Sequence, residues 1–217
     1  MDIEKLIETY PRLFHMAEAG TWPSIRDRGL MSASAVLNHF GVVDQARNQY
    51  ESNHRPTKMA VLPQAAAPIV LRDQKPMPPE RLALALNDGT TPEAWYRLIN
   101  GKVFFWAEEH RLHGLLNARA YRNLEHDVLT VDSAPFFSAY AANIWLCHMN
   151  SGNTWPWPHP RGIDVFKRIA AYPTNTLGYP AKPVVEVVVD EQVPDIANYV
   201  IEVRRMKGDK TLGPITM

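Results

Sequence analysis

The sequence predicts an α+β fold in a single domain, with a mostly antiparallel or mixed β-sheet. Helix signals crowd the N-terminal half, where capping residues, prolines at helix starts and glycines at helix ends recur. β-branched and aromatic runs are concentrated in the second half, and VVEVVV at 184–189 is the clearest of them. No internal repeat or shift in composition marks a boundary, so residues 1–217 are expected to fold as one unit.

The first half contains mainly helices. The first element is a helix at 2–9 stopped by Pro11, and a strand follows at 12–16. Thr21 as N-cap, Pro23 and Gly29 bracket a two-turn helix, Trp22–Arg28. The remaining elements predicted here are helices at 34–40, 44–52, 79–86 and 92–100 and a strand at 69–72. Prolines in 56–79 predict an irregular connection.

Strands dominate from residue 102 onward. They are expected at 102–106 (KVFFW), 126–131 (HDVLTV), 143–146, 184–189 and, as the last, 198–203. Helical segments are expected at 108–121, 133–139 and 164–171. Turn-forming residues throughout 149–162 (MNSGNTWPWPHPRG) predict a loop.

Charge and cysteine content restrict the class of protein. Lys+Arg and Asp+Glu are both 23, and zero net charge argues weakly against a large nonspecific nucleic-acid surface. The single cysteine, Cys147, cannot form an intrachain disulfide, which favours a reducing compartment. The charged start MDIEKLIETYPR and the lack of an apolar run near the roughly 20 residues of a bilayer span predict a cytoplasmic protein.

At three places the residue types are not those expected in a hydrophobic core. His15 interrupts an apolar strand, either as a hydrogen-bonded core histidine or as a ligand contact. Glu186 sits on one strand face with Val184 and Val188, either at an edge facing water or as a carboxylate at the floor of a cleft with a raised pKa. The third place is the aromatic run Phe104, Phe105 and Trp106, which cannot all face one core and can include a stacking wall for a planar ring.

Other chemistries have weaker support. His110 and His113 have a metal-compatible helical spacing, but no third ligand is suggested nearby, so no metal site is expected. Apolar flanks favour a buried structural role for Cys147 over a nucleophile. Glycine-rich dinucleotide, phosphate-binding and nucleophile-elbow motifs do not occur.

Taken in order, these places resemble the ADP-ribosyltransferase superfamily, in its diphtheria-toxin/PARP-like branch. LFHMAEAGTWPSIRDRGL resembles the first strand with its His and the short helix ending in Gly-Leu. KVFFWAEEHRLHGLL resembles the aromatic strand that leads into a helix, and PVVEVVVDEQVPDIANYVIEV resembles the late strand with its Glu, the turn and the closing strand. The likeness runs from Leu13 to Val203 and extends to DarT-type and uncharacterised bacterial relatives. It implies a split β-sheet core.

The resemblance also implies a function. The chain would be a glycosyltransferase (a pentosyltransferase) that uses NAD as substrate and moves ADP-ribose to a macromolecular acceptor, nucleic acid or protein, with release of nicotinamide. A toxin or phage-defence effector with an antitoxin or hydrolase partner would fit it. Residues are assigned in a His–aromatic–Glu triad: Glu186 is catalytic, His15 binds the adenosine ribose, and Phe104, Phe105 or Trp106 stacks on nicotinamide. The pyrophosphate would meet helix Trp22–Arg28 with Arg26, Arg28 or Arg72.

The loop 150–162 lies between core strands and is the expected acceptor-recognition segment, through Asn150, Asn153, His159 and Arg161. Two alternatives stay open. One is a noncatalytic module of the same fold that binds a nucleotide or a partner protein through the Trp/Pro-rich loop. The other is an RNA 2′-phosphate-removing transferase of the same fold, whose basic residues cannot be placed in this sequence.

Overall fold

An antiparallel sheet organises the computed structural model, which describes residues 1–61 and 69–216. Within those ranges the sheet has eight strands in the order β12-β11-β6-β1-β5-β9-β7-β8, and two small two-stranded sheets, β10-β2 and β3-β4, lie beside it. The strands are β1 Arg12–Glu18, β2 Leu30–Met31, β3 Met59–Val61, β4 Ile69–Leu71, β5 Lys102–Trp106, β6 Glu125–Asp132, β7 Ile144–Cys147, β8 Phe166–Arg168, β9 Glu186–Asp190, β10 Gln192–Val193, β11 Val200–Lys207 and β12 Lys210–Pro214.

The α-helices confirm the predicted concentration in the N-terminal half. Six of the eight that occur in the described residues end by Asn100. They are α1 Ile3–Thr9, α2 Trp22–Arg28, α3 Ala33–His39, α4 Asp44–Glu51, α5 Pro79–Ala85, α6 Pro92–Asn100, α7 Glu109–Leu116 and α8 Ser133–Tyr140. The α+β class and the antiparallel sheet are therefore confirmed. The predicted irregular connection at 56–79 lies partly outside the described residues.

Four local predictions are wrong in detail. Residues 164–171 form two 3-10 turns on either side of β8, because pairing of Phe166–Arg168 with β7 replaces the local helical preference. The strand predicted as last extends to Lys207 and turns into β12. Helix α7 ends at Leu116, and Asn117 takes the C-cap position. The Thr21 side chain does not cap α2, because its hydroxyl donates to the Glu18 carbonyl oxygen instead.

Strand alternation divides the core between the two faces of the sheet. One face carries the larger apolar cluster, including Leu13, Phe105, Leu146 and Val187. The opposite face carries two further clusters, and Val188 and Cys147 belong to one of them. Because both faces are covered, the middle of β9 is a continuous apolar run, Val187–Val189, and the buried carboxylate of Glu186 begins the strand.

Helix α2 is fixed over one end of the sheet by two contacts. Trp22 is buried in the larger cluster, and such burial typically contributes about 1.5–3 kcal/mol. Gly29 ends the helix with φ of +85°, and a Cβ at this position would lie 2.4 Å from the Cα atom of Pro194. Glycine at position 29 is therefore required by both backbone conformation and space.

Within residues 1–61 and 69–216, no helix combines the length and apolar character that crossing a bilayer requires.

Candidate functional site

The central sheet opens into a cleft between β1 and β5. Strand β1 pairs with β6 from Arg12↔Asp132 to Glu18↔His126, but within the described chain it pairs with β5 only at Phe14↔Trp106. Beyond that position, residues 15–18 of β1 and 102–106 of β5 line a shared cavity of about 1190 Å³. This volume slightly exceeds the usual range for small-ligand pockets, so the cleft has room for a dinucleotide.

Glu186 lies in this cleft on an interior strand. Strand β9 runs between β5 and β7, and Glu186 faces Trp106 on one side and Cys147 on the other. The side chain is only 4% exposed. The edge-strand alternative for Glu186 is therefore wrong, and the cleft-floor alternative fits. Burial raises the pKa of Glu186 to about 7, although Ser151 and the positive charge of Arg161 oppose the rise.

The carboxylate of Glu186 is held by Ser151. The Ser151 N–H donates to Oε1 at 3.1 Å and to Oε2 at 3.2 Å, and the Ser151 hydroxyl also hydrogen-bonds to the carboxylate and lowers its pKa. These two donors leave further lone pairs on the carboxylate oxygens. Glu186 can therefore accept an additional hydrogen bond from a molecule in the cleft.

His15 lies at the point where the two strands separate. Its Nδ1 is 2.8 Å from the carbonyl oxygen of Phe104 on β5. A carbonyl only accepts, so Nδ1 carries the proton and donates it. Burial lowers the pKa of His15 to about 4, with the nearby Arg72 charge acting in the same direction and the Phe104 carbonyl against it. The neutral ring therefore keeps Nε2 as an acceptor.

The three aromatic residues have different surroundings. The Phe105 side chain is 1% exposed and packs in the larger core cluster, with its ring centroid 5.1 Å from that of Phe136. Phe104 and Trp106 point to the opposite face, the face of Glu186, and both are partly exposed cleft residues. Trp106 is directly opposite Glu186 in the strand register. Phe105 therefore serves the core, while Trp106 and Phe104 are placed to stack on a ring.

Only part of the predicted phosphate contact lies at the cleft. Arg72 lines it, with its guanidinium 5.4 Å from the Tyr121 ring centroid. Among the described residues no carboxylate lies within ion-pair distance of Arg72. Arg28 also borders the cleft, whereas Arg26 is not among the described lining residues and pairs with Asp27 at 2.9 Å.

The N-terminus of α2 already binds a carboxylate of the protein itself. Asp127 of β6 accepts the N–H of Gly20 at 2.8 Å and that of Trp22 at 3.3 Å. Its other oxygen accepts from Arg205 Nε at 2.6 Å. An anion in the cleft therefore has Arg72 and Arg28 among its cationic neighbours, while the first amides of this helix are already bound by Asp127.

The predicted acceptor loop is only partly at the cleft. Asn150 and Asn153 line it. Arg161 is 1% exposed, and its guanidinium donates to loop carbonyls, while His159 is exposed to solvent; neither is among the described lining residues. The prolines and turn residues around Arg161 do not indicate from the sequence that its side chain is buried.

The sequence analysis did not predict two groups at the site, the Ser151 amide and Asp127. The Ser151 amide has no sequence signal, because every residue but proline carries an N–H. Asp127 did have a signal: it is a charged residue in the apolar strand HDVLTV, the same anomaly that pointed to Glu186. The predicted structural role of Cys147 fits its complete burial, and burial together with the charge of Glu186 raises the pKa of its thiol.

Sequence comparison assigns the chain to a family but not to an activity. Residues 11–200 match the family described as "Family of unknown function (DUF7002)", and the chain belongs to it. A search among curated proteins gives no match.

Proposed function

We propose that this family member is an NAD-dependent ADP-ribosyltransferase that transfers ADP-ribose to a macromolecular acceptor, nucleic acid or protein, and releases nicotinamide. The observation that carries the proposal is a single cleft shared by three elements. His15 on β1, Trp106 on β5 and Glu186 on β9 all line it, in the roles that the resemblance assigns. The separation of β1 from β5 supports the split-sheet core of the proposed fold.

Glu186 supplies the chemistry. Transfer breaks the bond between ribose C1′ and the nicotinamide nitrogen, and the bonding electrons leave with nicotinamide. The C1′ centre then has oxocarbenium character, which a nearby carboxylate stabilises. An acceptor oxygen or nitrogen forms the new bond to C1′, and its proton passes to the Glu186 carboxylate and then to solvent. A carboxyl group with a pKa near 7 is suited to receive a proton at neutral pH.

The other cleft residues bind and orient NAD. Neutral His15 presents Nε2 as an acceptor for a ribose hydroxyl. Trp106 or Phe104 stacks on the nicotinamide ring. Arg72 and Arg28 provide positive charge for the pyrophosphate, and Asn150 and Asn153 face the acceptor. Holding both reactants in a buried site lowers the entropic part of the barrier.

The test is NAD turnover by the purified protein, read as nicotinamide release and as labelled ADP-ribose transferred to the protein itself, RNA, single-stranded DNA or added protein. Wild type should release nicotinamide, and Glu186→Gln should reduce the rate by about 10²-fold or more. Equal rates in the two would remove Glu186 from the catalytic role. Glu202→Gln is a matched control, because Glu202 lies on β11 outside the described lining residues of the cleft.

Two further measurements separate related hypotheses. Calorimetry with NAD and ADP-ribose tests binding alone, and binding by wild type without turnover would favour the noncatalytic module. An effector role predicts that expression inhibits growth and that Glu186→Gln relieves the inhibition. No binding and no turnover of NAD would refute the transferase.

A further inference from the structure

Arg161 makes contacts unlike those of a surface arginine. Its side chain is almost fully buried and donates to four backbone carbonyl oxygens of its own loop. The distances are 3.1 Å to His159, 3.3 Å to Asn150, 2.8 Å to Ser151 and 2.7 Å to Asn153. A buried guanidinium is costly unless its donors are satisfied, so the loop is built around it.

The same loop reaches the carboxylate of Glu186. Ser151 accepts from Arg161 through its carbonyl and donates to Glu186 through its N–H. The Ser151 carbonyl is therefore held by the guanidinium of Arg161, and the Ser151 N–H is held by the carboxylate of Glu186. Arg161 also ties down the outer end of the loop, near the exposed Trp157.

We propose that Arg161 is a positioning residue: by clamping the loop from Asn150 to His159 it holds the Ser151 amide on Glu186 and so fixes that carboxylate in the cleft. The inference rests on the proposed function only in giving Glu186 a catalytic role. In this role the Arg161 side chain contacts its own loop and not the acceptor, which differs from the role expected from the sequence.

The charges around Glu186 fit this role. The loop presents Arg161, β7 presents the Cys147 thiol, and β5 presents the uncharged Trp106. Burial drives the pKa of Glu186 upward, while hydrogen bonds from the Ser151 hydroxyl and N–H and the Arg161 charge hold it down. Loss of Arg161 removes its charge and loosens the amide, so both changes favour the protonated acid.

The experiment follows the Ser151 amide resonance of ¹⁵N-labelled protein against pH, without NAD. In wild type the resonance should titrate with a midpoint near 7, because this N–H binds the titrating carboxylate. In Arg161→Gln the midpoint should move up by about one pH unit. In Arg161→Lys, which keeps the charge, the shift should be smaller. Urea denaturation shows which variants are folded.

Arg81→Lys is the matched control. Arg81 also binds carbonyls of this loop, those of Thr154 and Pro156 at 2.7 Å each, but does not contact Ser151. Its substitution should leave the Ser151 midpoint unchanged. If turnover is measurable, Arg161→Gln should lower kcat more than it raises KM for NAD, with the pH profile moved upward.

Three results would overturn the proposal: a wild-type Ser151 amide that does not titrate, an unchanged midpoint in a folded Arg161 variant, or an equal shift in Arg81→Lys. Should Arg161→Gln not fold, Arg161→Lys and the wild-type titration decide the question. Because the titration needs no NAD, its outcome is independent of whether the protein is a transferase.

Discussion

His15 Nδ1 donates to the carbonyl oxygen of Phe104 across the opening between β1 and β5, over 2.8 Å. This contact ties the two strands together next to the one position where they pair, Phe14↔Trp106 within the described residues. It also fixes the tautomer, so that Nε2 is the nitrogen left to accept. Nδ1 of His15 therefore has a structural role, whereas Nε2 is available to accept a hydrogen bond from a ligand.

His15→Asn should separate these two roles. The Asn amide nitrogen can take the place of Nδ1 and keep the bond to Phe104, but nothing replaces Nε2. We expect the free energy of unfolding to stay within about 1 kcal/mol of wild type. The dissociation constant for NAD should rise about 5- to 10-fold, for loss of one hydrogen bond. Urea denaturation and calorimetry measure the two quantities.

His15→Ala is the comparison, since it loses both nitrogens. It should bind NAD as weakly as His15→Asn and be less stable. Wild-type affinity in His15→Asn would show that Nε2 makes no contact with NAD.

Glu186 should make stability depend on pH. Its folded pKa of about 7 lies above the ordinary value of 4.5 for a glutamate, so the folded state binds a proton more tightly than the unfolded state. The resulting stabilisation is complete below the unfolded pKa and is lost as pH rises through about 7. Its full size is on the order of 3 kcal/mol.

The measurement is the free energy of unfolding of wild type minus that of Glu186→Gln, at a series of pH values. Gln does not titrate, so contributions from all other groups cancel to first order. The difference should decline across the window above about 4.5 and level off above 7. A difference that is flat with pH would show that the folded pKa of Glu186 is not raised.

Substitution of Phe105 should affect mainly stability, whereas substitution of Trp106 should affect mainly NAD binding. Phe105→Ala leaves a cavity in the larger core cluster and should cost about 3–5 kcal/mol of stability. Trp106→Leu keeps an apolar group against the core cluster that contains Phe14 and Leu112 but removes the ring beside Glu186. It should raise KM for NAD about 3- to 10-fold.

Urea denaturation measures the stability of both variants, and steady-state kinetics measure their KM for NAD. An unchanged KM in Trp106→Leu would move the stacking role to Phe104, whose partly exposed side chain shares the same face.

Asp127 should be essential for the placement of α2. It is fully buried and binds two amides before and at the start of this helix as well as Arg205. Asp127→Asn weakens charged hydrogen bonds in the interior and should cost about 2–3 kcal/mol.

The matched control is Glu125→Gln on the same strand. Glu125 also pairs with Arg205, at 3.6 Å, but its side chain is about half exposed. Such surface pairs contribute roughly 0–1 kcal/mol, so thermal or urea denaturation should separate the two variants clearly. Equal effects would mean that the buried bonds from Asp127 do not hold α2.

The class of fold and most of its elements follow from local residue patterns. Helix α6 is bracketed by Thr91, Pro92 and Gly101, and its boundaries follow from those residues because capping is a local interaction. The strand predicted at 184–189 was also found, although it begins at Glu186 and ends at Asp190, because its β-branched valines favour strand structure locally. By contrast, β8 was missed, because a three-residue strand exists only through its pairing with β7.

How these residues come together depends on strand register and packing, which local patterns do not specify. Alternation along β5 separates Phe105 from its neighbours, but the register with β9 decides that Trp106 shares the face of Glu186. Asp127 binds the amide of Gly20, which lies 107 residues away in the sequence, and Arg161 turns inward onto carbonyls of its own loop. Such contacts depend on burial and on long-range packing, and neither is encoded in the spacing of residues along the chain.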